Sequence, residues 1–481
     1  MMLILAVLAL SMMTRAKGDA MVGTNLGGWL VLEPWITPSL FYRFLGKSQN
    51  EGVGVDSYTL CEALGQKEGN HVMRSHWDSW LTEDYVKALA DRNVEIVRLP
   101  LGDWTLKPYG PYIGCMDGAA DKIDWLLDTA QKYNIKVLLD VHAVIDSQNG
   151  FDNSGRSWNF KWVNETHFEH WSILNSTWMG HFDGDSQQYT SINEDNMQWS
   201  VDVVKGLMKR WGKHPAVYAL EPVNEPWWLS DLPTLKQFYR SCRAAIQAVN
   251  ANVKFVFHDS FRTSADTWND LFEDDDMDNV IMDTHKYLAW AGRMDDIGQY
   301  CDAYGATFAD PEVANIKYPV WVGEWSLATD VCAMWLGGFN DANTDAQFEC
   351  QRVTCPASYM PAPYAADFDR SAALLGPIGE SDASTISYGQ CLTDSSFFSA
   401  QDVKTLGDCS SYILNQAVAG QFLWNFRTEL EPRWSYIEAY DQGWLNNYSS
   451  EYRYQYVAHE KDSTPLKNTH RGGHNPTSKT Q

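Results

Sequence analysis

Positive charge is scarce in this chain. Its 481 residues hold 37 Lys and Arg against 62 Asp and Glu, a formal net charge of −25. A surface of that sign repels phosphate backbones and anionic headgroups, which excludes nucleic acid and anionic lipid as partners. No apolar run reaches the ~20 residues needed to span a bilayer, so no membrane anchor is expected. The run Met2–Met13 instead has the length of a signal-peptide core, and Gly18 and Ala20 supply small residues for cleavage. Residues 1–20 are therefore expected to be a secretory signal. A glycine-rich nucleotide loop and the paired short Cys spacings of a zinc site are both missing, so no cofactor and no metal are implied.

Nine Cys are present, an odd count that leaves at least one thiol without an intramolecular partner. In a secreted chain the others are expected to form disulfides. Sequons at Asn164, Asn175 and Asn447 fit a secreted glycoprotein. Residues 459–481 are polar and read as a disordered tail, while 21–458 read as one catalytic unit. A monomer is the expected state.

Short β-rich apolar runs alternate with helical stretches along the chain. The runs are Val22–Leu32, Val94–Leu99, Ile135–His142, Val217–Val223, Val253–His258, Val280–His285, Val320–Trp325 and Gln421–Phe426. Continuous apolar runs separated by helices predict parallel strands buried on both faces. Eight such units predict an α/β fold, a (β/α)8 TIM barrel, over a doubly wound open sheet. About 60 residues separate Asp152 from the fourth run and about 95 separate Trp325 from the eighth, where a loop plus one helix needs far fewer. Long insertions after strands 3 and 7 are therefore expected to rise around the active face. The second contains Cys332, Cys350, Cys355, Cys391 and Cys409, which predicts a disulfide-stapled wall.

Chemistry-bearing residues gather where the runs end. Arg98, His142, Asn224 with Glu225, His258 with Asp259, His285 with Tyr287, and Glu324 all sit there. Barrel enzymes carry their catalytic groups at the C-terminal ends of strands. Glu225 ends the fourth run in Asn-Glu-Pro, and Glu324 ends the seventh in Gly-Glu-Trp-Ser. Two carboxylates on one rim are what glycoside hydrolysis needs: one protonates the departing oxygen, the other attacks the anomeric carbon or activates water. Arg98 is expected to hold Glu324 ionised, with Tyr287 donating to the same carboxylate. Asn224 is suited to bond a sugar 2-hydroxyl. The 22 Trp, 23 Tyr and 19 Phe suggest sugar-stacking walls, although packing accounts for most of them.

Three segments carry a family resemblance: NLGGWLVLEPWITPSLF (Asn25–Phe41), SQNGFDNSG (Ser147–Gly155) and GEWSLATDVCAMWLGG (Gly323–Gly338). From Met21 to Trp444 the chain resembles the exo-β-1,3-glucanases of glycoside hydrolase family 5. The resemblance implies Glu225 as acid/base, Glu324 as nucleophile and a β-glucan polysaccharide or oligosaccharide substrate. It also implies that Glu33, His142, Asp152, Asn153, Asn224, His285, Tyr287 and Trp424 line a terminal-glucose pocket. Phe151 would stand at its acceptor side. The chain departs from that family at Ala143–Asp146, where a Gly-Ala-Pro-Gly run is usual, and in 156–193 and 340–410. Readings kept open are β-1,6 or β-1,4 specificity on the same machinery, and a non-catalytic glucan-binding barrel.

Overall fold

A computed structural model describes residues 20–445, except 46, 159, 163, 166–167, 171–176, 274–276, 278, 293, 332, 334, 340–356 and 366–397. The expected signal segment up to residue 19, the tail, Asn175 and Asn447 lie outside the described residues. Eight parallel strands close into a barrel. They are β1 (Met21–Asn25), β2 (Ile96–Gly102), β3 (Lys136–Ala143), β4 (Val217–Glu221), β5 (Lys254–His258), β6 (Val280–His285), β7 (Val320–Trp325) and β8 (Gly420–Leu423). β8 closes against β1 through Met21↔Gly420 to Thr24↔Leu423.

The barrel interior follows from the two-residue repeat of a strand. Ile96, Leu138, Ala219, Val256, Ile281, Trp321 and Phe422, one from each of β2 to β8, pack together as an apolar layer. Burying each large member contributes roughly 1.5–3 kcal/mol. β1 offers Gly23 at this level, because a Cβ there would lie 2.4 Å from the Phe422 ring. Two residues further along, the same inward face carries Asn25, Arg98, Asp140, Glu221, His258, Asp283, Gly323 and Trp424. The apolar layer is thus the floor on which a polar layer rests.

Helices wrap the outside: α1 (Ser57–Trp80), α2 (Glu83–Asp91), α3 (Ala119–Lys132), α4 (Glu194–Trp211), α5 (Leu232–Gln247), α6 (Ile297–Ala309) and α7 (Ala400–Ala417). α4 shows why such segments are helical. Asn193 caps it by accepting from Asn196 N, Glu194 and Asp195 open it, and Lys209 and Arg210 close it. Its buried stripe of Met197, Val201, Val204, Met208 and Trp211 has helical spacing.

The structure differs from the sequence reading in three places. The first strand stops at Asn25, and Leu26–Leu32 is buried without being strand. Leu26 N still donates to Arg98 O, after which the chain turns away to pack on the helices. The insertion after β3 contains two unexpected antiparallel ribbons, Phe160–Trp162 with Phe168–His170 and Gly180–Asp183 with Gln188–Ile192. Cys409 does not belong to a wall: it sits on α7, bonded to Cys301 of α6, and staples two outer helices. Cys332, Cys350, Cys355 and Cys391 lie outside the described residues. A second disulfide joins Cys61 to Cys115, and Cys242 is a buried free thiol.

The divergent Ala143–Asp146 segment is tied down by Asp103. That carboxyl accepts from Ile145 N at 2.7 Å, Trp199 Nε1 at 2.9 Å and Tyr109 Oη at 2.8 Å. Burial nevertheless pushes it up to about 7. The folded state therefore holds a proton that the unfolded chain releases near pH 4. The resulting stabilisation is complete below the unfolded value and is lost as pH rises through about 7. We expect Tm to be several degrees higher near pH 5 than near pH 8, and Asp103→Asn to reduce that difference, as read by thermal unfolding across pH.

Candidate active site

Arg98 is fully buried and reaches four carboxylates. Its Nε donates to Glu221 at 3.0 Å, and its Nη1 lies 2.8 Å from Glu324 and 3.2 Å from Asp140. Asp283 stands 3.9 Å from Nε. Nη1 and Nη2 also donate to Asn25 Oδ1 and Asn224 Oδ1 at 3.2 and 2.7 Å. With its oxygen engaged in this way, Asn224 is oriented by the guanidinium.

A bulge brings Glu324 to this cation. β6 and β7 pair Thr284↔Val322 and then His285↔Glu324, so Gly323 is an extra residue. Gly323 N donates to Asp283 at 2.6 Å, and a Cβ there would fall 2.0 Å from the Asp283 carboxylate. Glycine is required for so close an approach. Glu225 has φ of 42°, a strained value for a residue with a side chain.

His285 joins the two glutamates. Its Nδ1 lies 2.7 Å from Glu225 Oε1 and 3.3 Å from Glu324 Oε2, while Nε2 faces Asp283 at 3.4 Å. Burial opposes charge on this ring, but Glu324, Asp283 and Glu225 together hold it well above its ordinary value. Tyr287 Oη donates to Glu324 Oε2 at 2.7 Å, and Asn153 Nδ2 donates to Glu225 Oε2 at 3.1 Å. Glu324 departs from expectation: burial pushes it above the ordinary carboxylate value, against the lowering charges of His285 and Arg98. Repulsion from Glu225 adds to the rise.

The remaining predicted residues meet in the same cavity. Glu33, Phe151, Asp152, Asn153, Glu225, His285, Tyr287, Glu324 and Trp424 line it. His142 lies behind, its ring stacked on Trp424 at 5.3 Å between centroids and its Nδ1 2.6 Å from Asp140. Trp35 Nε1 donates to Glu33 at 2.9 Å, and burial raises Glu33 well above its usual range, with Asp152 adding to the effect. Burial also raises Asp152 to about 7.

Glu225, His258 and His285 bring donor atoms within 4.8 Å of one another, the spacing of a metal cluster. In this structure two of those donors are engaged within the protein. His285 Nδ1 faces Glu225 and Glu324 at 2.7 and 3.3 Å, and His258 Nδ1 accepts from Ser260 N at 3.0 Å.

Sequence reasoning missed Asp140, Glu221 and Asp283. Asp140 and Asp283 lie two residues before His142 and His285, so strand alternation alone puts them on the same face. It also missed the Trp35, Phe261, Trp290 and Trp434 walls.

A closed parallel barrel with paired carboxylates at the C-terminal ends of β4 and β7 defines a glycoside hydrolase. The family model for cellulase (glycosyl hydrolase family 5) matches residues 61–345, and the chain belongs to that family. It is 31% identical over 330 residues to a glucan 1,3-beta-glucosidase 2 of Wickerhamomyces anomalus, covering 67% of this chain and 69% of that one. A glucan 1,3-beta-glucosidase of Blumeria graminis is 32% identical over 324 residues, covering 66% of each chain. In fold, the chain is similar to a rutinosidase from Aspergillus niger (TM-score 0.59, 18% identity, 89% of this chain and 99% of that chain).

Tyr287 gives a direct test of which group titrates. Its hydrogen bond favours the charged form of Glu324, so Tyr287→Phe raises the Glu324 pKa. The acidic limb of kcat/KM should lie above the ordinary Glu range and move up by about one unit in the variant. A limb that stays in place would mean another group controls it.

Proposed function

We propose that this is a secreted, retaining exo-glucosidase that releases glucose from the non-reducing ends of β-1,3-glucan. The observation that carries retention is the shared imidazole. With His285 Nδ1 at 2.7 and 3.3 Å, Glu225 Oε1 and Glu324 Oε2 are within about 6 Å of each other. Retaining pairs stand ~5–5.5 Å apart, whereas inverting pairs need ~6.5–9.5 Å to admit a water. Glu324 attacks the anomeric carbon as Glu225 gives its proton to the glycosidic oxygen, and the leaving sugar departs as an alcohol. Glu225 then takes a proton from water, whose oxygen displaces Glu324 and frees β-glucose. Trp424, stacked on His142, offers a floor for the sugar ring.

The names of the relatives support β-1,3-glucan as substrate. The two disulfides support an oxidising compartment, and among the described residues no helix is long and apolar enough to cross a membrane. The proposed mature enzyme starts after residue 20, with the barrel unit over 21–458.

Incubation with laminari-oligosaccharides, followed by NMR, tests the proposal. Glucose should appear first, as the β-anomer, and Glu324→Gln should lose at least about a thousandfold in kcat. Early α-glucose would overturn retention, and mixed oligosaccharides without glucose would overturn exo-action. Intact laminari-oligosaccharides beside cleaved β-1,6- or β-1,4-linked oligosaccharides in parallel incubations would overturn the linkage.

A further inference from the structure

The large apolar side chains left in water, among the described residues, are Ile113, Trp158, Trp228 and Trp290. All three tryptophans stand on loops that follow barrel strands (β3, β4 and β6), so all three belong to the catalytic face. Other tryptophans, such as Trp29, Trp80, Trp178 and Trp268, are fully buried, with their indole N–H bonded to the main chain or to Ser200. Trp290 lines the pocket itself, and Trp158 is covered by the Arg156 guanidinium at 4.4 Å. Trp228 is different: it is 46% exposed, with an edge contact to Trp227 at 6.2 Å.

Trp228 is exposed, yet its main chain is immobilised. Arg262 Nε and Nη2 donate to Trp228 O at 2.8 and 2.6 Å, and Nη2 reaches Ser230 O at 2.5 Å. Ser260 Oγ bonds Pro226 O and Trp227 O at 3.0 and 2.9 Å, and Trp227 N donates to Gln148 O at 3.1 Å. Phe182, from the second inserted ribbon, packs edge-on against Trp227 at 4.8 Å. Phe261, adjacent to Arg262, lines the pocket. The main chain carrying this exposed indole is therefore held in place three residues beyond Glu225, and its anchor Arg262 directly follows the pocket-lining Phe261.

The direction matters. The acid must reach the glycosidic oxygen, so the leaving part of the substrate lies on the side of Glu225. A pyranose ring presents an apolar C–H face that stacks on an indole, and a platform carried on a fixed main chain lowers the ordering cost of binding. We propose that Trp228 forms an outer acceptor-side subsite that stacks on a glucosyl unit beyond the one joined at the scissile bond. This rests on the glucan-hydrolase reading above. Binding energy from that remote unit favours cleavage of longer chains and capture of oligosaccharides as acceptors.

The test compares wild type, Trp228→Ala, Trp228→Phe and Trp158→Ala on an aryl β-glucoside and on laminaribiose to laminarihexaose. In Trp228→Ala, kcat/KM should fall about tenfold on the longer oligosaccharides and stay within about twofold on the aryl glucoside and the disaccharide. Trp228→Phe should recover part of the loss, and Trp158→Ala should keep the wild-type dependence on chain length. An equal loss at every length, no loss at any length, or the same loss in Trp158→Ala would overturn the subsite. Wild-type enzyme that releases no glucose from any of the series would overturn the glucanase reading as well, which separates the two failures.

Discussion

One guanidinium organises the catalytic face. A buried cation without partners costs several kcal/mol, yet Arg98 has the opposite problem. Asp140, Glu221, Asp283 and Glu324 surround it, and Glu225 stands close by through His285. Two cations, Arg98 and His285, face five carboxylates, so acidic groups outnumber basic ones in this layer. Burial drives Glu221 well above its ordinary value, with Asp283 and Asp140 acting against the Arg98 charge. Glu324 is raised and His285 is held protonated. The planar fork of arginine is what lets one charge serve so many partners. A lysine in its place would hold a single point charge on a flexible stem.

That layer exists because the layer beneath it is apolar and strictly alternating. Ile96 below Arg98, Leu138 below Asp140 and Ile281 below Asp283 are consecutive inward positions on single strands. The bulge at Gly323 breaks the alternation once and lifts Glu324 to the level of His285. If Gly323 itself paired with His285, Glu324 would face outward and Trp325 would take the next inward position, since a slip of one residue exchanges the two faces of a strand.

The barrel was legible because buried parallel strands read as apolar runs, and the strand-end chemistry was legible because polar residues interrupt them. Asp140, Glu221 and Asp283 were not, since each is a single charge inside a run whose neighbours dominate the pattern. The overlong first strand has a related cause. Leu26–Leu32 is as buried as a strand, and burial alone does not distinguish a ladder from a packed loop. The Cys301–Cys409 pair was illegible because its separation of 108 residues is closed by the packing of α6 on α7, which no local pattern encodes. Many of the aromatics proved to be packing, with Trp35 and Trp424 the tryptophans that touch both the pocket and a polar partner or stacked ring.

The two glutamates differ in what surrounds them, and that difference supports their proposed roles. Glu324 receives a charged donor from Arg98 and a phenol from Tyr287, so negative charge on it is met by two fixed groups. Glu225 receives the neutral amide of Asn153 and shares His285. In the proposed double displacement Glu324 is consumed in a glycosyl ester, its charge vanishes, and His285 loses one of the carboxylates that face it. Glu225 has by then given up its own proton, so the imidazolium keeps a carboxylate partner at 2.7 Å. Under that proposal one ring accompanies the negative charge from one side of the scissile bond to the other without moving, a role that suits its place between the two glutamates.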